Sequence, residues 1–218
     1  MWTKNFDCIL CDAFGAGGKW LTGDTAQNPA IGNIPLTVKN LLGQNVRLGH
    51  GGSAYNGILI NNNFDNCNIC AATLDFPTVS YNNNLNRQST GNSTAEFTLY
   101  AQCGYTDNAD VPYDKYVLDN VFDTNNFTFQ TTQTSEFDED TLTYTKHLHF
   151  ALTYAGNGQI TVNEFGLLCY VFGTQYYEPV LIYYDHLQEP ATLSPGGIIN
   201  FHVYQSYKIQ SDYPEVTP

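Results

Sequence analysis

Basic residues are scarce in this chain. Lys plus Arg number 8 against 21 Asp plus Glu, a formal net charge of -13 over 218 residues. Binding to a phosphate backbone draws on clustered Lys and Arg, so no nucleic-acid partner is expected. Anionic membrane surfaces are disfavoured for the same reason. Charged residues of both signs make up only 13%, about half the usual quarter. No apolar run approaches the roughly 20 residues that cross a bilayer as a helix, so no membrane partner is expected. Methionine occurs once, and no long stretch rich in Ala, Glu, Lys and Leu appears, so few helices are expected. The opening MWTKNFDCILCDAFGAGG has Asp7 and Asp12 interrupting its apolar residues, unlike a secretory leader. The 6 cysteines are therefore expected as thiols rather than a disulfide framework.

Polarity comes instead from Asn, Thr, Ser and Gln, with 16 Tyr and 13 Phe. Thr and Tyr favour strands and Asn favours turns. Candidate strands lie near 54–61, 67–74, 95–103, 115–122, 126–133, 141–154, 159–172, 178–186 and 198–209, separated by turn-rich loops. This pattern predicts an all-β fold, an antiparallel β-sandwich of jelly-roll or Greek-key type. Residues 1–35 are Gly-rich and lack periodicity, and read as an extended N-terminal arm. Residues 36–210 form the β-sandwich domain, and 211–218 a polar tail.

The clearest local pattern is TLTYTKHLHFALTY (141–154). Leu142, Tyr144, Leu148, Phe150, Leu152 and Tyr154 share one face, and the Thr residues with His147 and His149 share the other. The turn Ala155-Gly156-Asn157-Gly158 follows, and the stretch ITVNEFGLLCYVF (160–172) is expected to return as the hairpin partner. Its alternation changes phase at Glu164: Ile160 and Val162 lie on even positions, Phe165, Leu167, Cys169 and Val171 on odd ones. A β-bulge near Asn163-Glu164 would restore the apolar face, with the carboxylate accepting from amides left unpaired.

Chemistry-bearing residues are few. Cys8, Cys11, Cys67 and Cys70 form two CxxC units, a zinc candidate, but more than fifty residues separate the pairs where ribbon sites use about 15–20. His147, His149 and His202 have the residue types of a barrel metal site, yet alternation puts all three on the outer face. The acids Asp107, Asp110 and Asp114, and Asp138, Glu139 and Asp140, lack the Gly and terminal Glu of a regular calcium loop. Gly15-Ala-Gly-Gly-Lys19-Trp20 lacks the hydroxyl residue that follows a P-loop Lys. No enzyme, metal or cofactor is expected.

Several ordered phrases mark the second half: CGYTDNADVPYDKYVLDN (103–120), FDEDTLTYTKHLHFALTYAGNG (137–158), QITVNEFGLL (159–168) and VLIYYDHLQEPATLSPGGIINFHVYQ (180–205). In this order they resemble a pattern of structural proteins of tailed-bacteriophage virions, over roughly residues 103–209. The resemblance implies a non-enzymatic β-sandwich that binds other virion structural proteins as a head-decoration, neck or tail-attached part. It also implies several copies per particle or a homo-oligomer, located in the virion after assembly in the host cytoplasm. In the arm, Trp2, Phe6, Phe14 and Trp20 are scattered apolar residues suited to filling pockets of a neighbouring subunit. The alternative is a carbohydrate-binding β-sandwich acting in receptor recognition, with Tyr81, Tyr105, Tyr113, Tyr176 and Tyr177 in loops as stacking candidates.

Overall fold

A computed structural model describes residues 1–11, 37–47, 78–81, 88–89, 98–172 and 176–208. Over these the fold is largely antiparallel and all-β, with one α-helix, α1 (Lys4–Cys11), and a single 3-10 turn at Thr124–Asn126. The strands are β1 (Thr37–Lys39), β2 (Asn45–Arg47), β3 (Thr78–Tyr81), β4 (Gln88–Ser89), β5 (Thr98–Gly104), β6 (Phe127–Asp138), β7 (Thr143–Tyr154), β8 (Ile160–Phe172), β9 (Tyr176–Leu193) and β10 (Ile198–Lys208). They form three sheets: a small β1-β2 pair, a three-stranded sheet ordered β10-β7-β6, and a five-stranded sheet ordered β3-β5-β8-β9-β4. The β3–β5 pair is parallel.

The alternation along β7 is realised from Leu148 to Tyr154, but Leu142, read on the core face, lies 42% exposed in the turn before β7. Leu148, Phe150 and Leu152 are fully buried, and His147 and His149 face outward. On β10, Ile199, Phe201 and Val203 are buried while Asn200, His202 and Tyr204 are exposed. Core side chains of the three-stranded sheet meet those of β8 in one cluster. Phe165 stacks on Phe201 at 4.1 Å between ring centroids and lies 5.4 Å from Phe150.

The expected hairpin of 141–154 with 159–172 does not form. β7 pairs with β6 and β10, whereas β8 pairs with β5 and β9. The end of β7 is already bonded on both sides, since Tyr154 exchanges bonds with Gly196 and Gly197, and the Ala155 amide donates to Asn126 O. The 155–159 turn therefore carries the chain from one sheet to the other, and core side chains of both sheets share one cluster. The hairpin that does form is β6–β7, closed by residues 139–142.

Three further expectations are corrected. Residues 115–122 form an irregular loop rather than a strand, with a single bridge, Gly104–Val121, as its ladder pairing to the sheet. Glu189-Pro190 does not lie in the loop expected between 186 and 198. β9 runs through both to Leu193, and Pro190 sits in residues 187–190, where β9 loses its pairing with β8 and no amide is required. Residues 1–11 are not an extended arm. Met1 to Thr3 lie along β9, with the Tyr184 amide donating to Met1 O and the Thr3 amide to Ile182 O. Thr3 Oγ1 then accepts from the Phe6 amide at 3.4 Å, as a helix N-cap does, and α1 begins. Phe6, Ile9 and Leu10, spaced three and four apart, turn one face of α1 into the core. Asn5 ties β1 to β9, donating to Lys39 O and Leu181 O and accepting from the Lys39 amide. Residues 12–35, the strands expected at 54–61 and 67–74, and the 211–218 tail lie outside the described residues.

Candidate interaction site

Two polar arrangements stand out, one buried and one exposed. The buried one answers the phase change in β8. Pairing with β9 breaks between Val162 and Glu164, and Asn163 and Glu164 both serve the 105–121 loop. Asn163 Oδ1 accepts from the Thr106 amide at 2.8 Å, and its Nδ2 donates to Thr106 O at 2.7 Å. Glu164 is 0% exposed. Its Oε2 accepts from the Asp119 amide at 3.0 Å, its Oε1 from the Tyr184 hydroxyl at 2.9 Å, and Lys115 Nζ stands 3.5 Å away. The carboxylate marks the irregularity as the sequence suggested, but the amide it accepts from belongs to the loop.

Lys115 also pairs with Asp119 at 2.7 Å, and Thr106 Oγ1 donates to the other Asp119 oxygen at 2.5 Å. Hydrogen bonds from Lys115 and Thr106 hold the Asp119 carboxyl below its usual range. Burial, then the Glu164 hydrogen bond, pushes the Tyr184 hydroxyl well above the ordinary tyrosine value. Beneath this cluster Leu118 packs with Leu168, Tyr170, Leu181 and Tyr184 as a second core. A Cβ on Gly166 would lie 2.5 Å from Leu118 Cδ1, so glycine there lets the loop close on the sheet. These charged groups are consumed by one another, which is the geometry of a clasp.

The exposed arrangement lies on the outer face of the three-stranded sheet. Across the strands, Tyr204, His147 and Thr134 form one row and His202, His149 and Thr132 the next. Four rings stack in parallel. Tyr204 lies 4.3 Å from His147, His147 lies 5.2 Å from His202, and His202 lies 4.5 Å from His149. His147 Nε2 and His202 Nδ1 share a hydrogen bond at 3.0 Å, and His149 Nε2 bonds Asn200 Oδ1 at 3.0 Å. Loss of solvent, then the neighbouring His149 and His147, lowers the His202 value from that of a solvated imidazole. Because the inner rings cover each other's faces, this surface presents ring edges, hydroxyls and amides. It offers hydrogen bonds rather than a stacking platform, as wet protein interfaces do.

The same sheet projects the β6–β7 hairpin. Phe137, next to its tip, is 48% exposed and Leu142, in the turn, is 42% exposed. Asp138 Oδ1 accepts from the amides of Asp140 and Thr141 and so braces the turn. Hydrogen bonding from the Thr141 side chain, then from the Thr141 and Asp140 amides, holds the Asp138 carboxyl below its usual value.

The structure places the sequence candidates as follows. Phe6 is buried in the core, and Trp2 stacks on it at 4.3 Å and meets the edge of Tyr183 at 5.1 Å. Both serve the chain's own packing, where a neighbouring subunit was expected. Phe14 and Trp20 lie outside the described residues. Cys8 and Cys11 are on α1, and Cys8, Cys103 and Cys169 are thiols. Cys67 and Cys70 lie outside the described residues, so nothing described brings the four candidate zinc ligands together. Among the described residues no group of three or more His, Cys, Asp or Glu is arranged to hold a metal ion. Among them too, no helix is long and apolar enough to cross a membrane. Tyr81 is not a loop residue. It is buried on β3, donates to Phe122 O at 3.1 Å and touches Cys103 Sγ, whose thiol burial pushes up to about 12. The hydroxyls of Tyr105 and Tyr113 are bonded to Asp107 and Asp7. Tyr176 and Tyr177 open β9 rather than lying in a loop.

Sequence reasoning missed Lys115, Asp119, Thr106 and Tyr184 as partners of Glu164, and Phe137 and Leu142 as an exposed pair. The phase break at Glu164 was the only signal for the first group. A leucine closing the acidic turn DEDTL was available for the second.

Compared with known proteins, the chain matches no family model, no curated protein and no solved structure.

Proposed function

We propose that this chain is a non-enzymatic structural component of a tailed-phage virion, a β-sandwich of jelly-roll or Greek-key type that binds neighbouring subunits as a head-decoration, neck or tail-attached protein. The observation that carries this reading is the work done by the phrase VNEFGL, part of the resemblance in the second half. Val162, Phe165 and Leu167 fill the core, Asn163 and Glu164 clasp the 105–121 loop, and Gly166 admits Leu118. Each residue of the phrase has a scaffolding task, and the buried carboxylate has its bonding capacity taken up by that task. The outer face of the three-stranded sheet supports the reading, since it offers a broad hydrogen-bonding surface to a partner. The carbohydrate-binding alternative rested on loop tyrosines, and it loses Tyr81 to the core.

The test is the protein content of purified particles. Virions banded on a density gradient from cells expressing this chain should contain it at a fixed ratio to the major head protein, by quantitative mass spectrometry. Its absence from the particles would overturn the proposal, and saturable binding of the purified chain on a glycan array would favour the alternative.

A further inference from the structure

Leu142 presents a contradiction between its conformation and its chemistry. Its φ is 51°, and among the described residues it is the only non-glycine with positive φ. The left-handed region suits Gly or Asn, and a Leu side chain is strained there. Burial would explain the choice, but Leu142 is 42% exposed, and Phe137, near the end of β6 beside the same turn, is 48% exposed. Neither conformational preference nor packing within the fold accounts for a leucine at this place. A residue held in an unfavourable conformation with its apolar side chain in water points to a use outside the fold.

The tip is rigidly presented. β6 and β7 pair without a bulge from Phe127↔Tyr154 to Asp138↔Thr143, and β10 runs beside β7 as far as Lys208↔Thr143. Asp138 Oδ1 accepts from the amides of Asp140 at 2.9 Å and Thr141 at 3.1 Å, and Thr143 Oγ1 donates to Thr141 O at 3.3 Å. A tip ordered in advance loses little entropy on docking. Around the two apolar side chains stand Glu136, Asp138, Glu139 and Asp140, all exposed.

We propose that the tip of the β6–β7 hairpin inserts Leu142 and Phe137 into an apolar pocket rimmed by Lys and Arg on a different virion subunit. This rests on the reading of the chain as a virion component. Charge selects the partner. A second copy of this chain, with 8 Lys plus Arg against 21 Asp plus Glu, would bring acid against acid. A basic rim pairs with the four acids, and the pocket removes Leu142 and Phe137 from water.

The experiment supplies the full chain in trans to particles lacking it, mixing wild type with one variant at equal expression. The variants are Leu142→Asn, which keeps the left-handed turn, Phe137→Thr, and the double change Glu139→Lys with Asp140→Lys, which leaves the bracing Asp138 in place. Each should melt within a few degrees of wild type yet fall at least tenfold below it in purified particles. In a second arm, Phe137→p-benzoylphenylalanine is photolysed in assembled particles. It should cross-link to a peptide of another virion protein that carries Lys or Arg near the attachment point. Variants incorporated at the wild-type level, or cross-links confined to copies of this chain, overturn the docking tip while leaving the virion reading intact. Wild type absent from particles overturns both.

Discussion

Replacing Glu164 by Ala removes the centre of the clasp between β8 and the 105–121 loop. The change strands the Tyr184 hydroxyl and the Asp119 amide at 3.0 Å, and takes from the Lys115 ammonium one of its two carboxylate partners, 3.5 Å away. A buried neutral donor left without its acceptor costs about 1–3 kcal/mol. Breaking a buried ion pair by removing one partner costs about 3–5 kcal/mol. These contributions share one site and do not add, and Lys115 retains Asp119, so the expected loss is about 3–5 kcal/mol. Glu164→Gln keeps one acceptor oxygen but turns an amide NH2 toward a second donor, so about 1–3 kcal/mol is expected. Tyr184→Phe removes one hydrogen bond, with an expected cost of about 1–2 kcal/mol. Urea unfolding at pH 7 reads all three as shifts in midpoint. Limited proteolysis adds a local readout, with cleavage near the exposed residues Asp107 to Asp110 rising in the order wild type, Gln, Ala. If Glu164→Ala lost less than about 1 kcal/mol, the size of an ordinary surface hydrogen bond, the clasp would be refuted.

Leu142→Gly should stabilise the isolated fold by about 0.5–1 kcal/mol, because relief of the left-handed strain of about 1–2 kcal/mol exceeds the entropy that glycine adds to the unfolded chain. A fall in melting temperature would count against it. On β7, Leu148→Asp and Phe150→Asp should prevent folding, whereas His147→Ala on the outer face should stay within about 0.5 kcal/mol of wild type; equal damage would reverse the face assignment. Deleting residues 1–11 should leave a chain without a cooperative thermal transition, because Phe6 and Ile9 are core residues, and an unchanged melting curve would detach α1 from the core. Asp119 is a carboxylate held below its unfolded value of about 3.9. Its stabilisation is full above that value and is lost as pH falls through the lower folded value. Asp119→Asn should therefore lower the melting temperature at pH 7, with the gap to wild type closing below about pH 4; a constant gap would show that the charge is not involved.

Much of the fold was legible because alternation is a backbone property. The outward side of β7 and β10 followed from period two alone, as did the burial of Leu148, Phe150, Phe201 and Val203. The phase break at Glu164 was legible for the same reason, since a buried face cannot change parity without an irregularity. What accompanied the break was not. Lys115, Thr106 and Asp119 precede Glu164 by more than forty residues, and nothing in their own segment sets them apart from solvated loop residues. The helix was missed because eight residues carry barely two turns, and KNFDCILC holds only Phe6, Ile9 and Leu10 as a face. A helix that short is made by packing rather than by propensity.

The missed pairing of β7 and β8 has a more general cause. Two strands joined by a short Gly-rich turn, each with one apolar face, can lie edge to edge in one sheet or face to face in two. Both arrangements bury the same side chains, so hydrophobic patterning cannot choose between them. Backbone hydrogen bonds choose. Tyr154 exchanges bonds with Gly196 and Gly197, and the Ala155 amide is taken by Asn126 O, so the end of β7 is occupied on both sides before β8 begins. The residues that exclude the hairpin therefore lie some thirty positions upstream and forty downstream of the turn. The Asn157-Gly158 signal was local and correct as a turn, with Gly158 at φ 116°. It specified a sharp bend in the chain and left open which strands would be hydrogen-bonded across it.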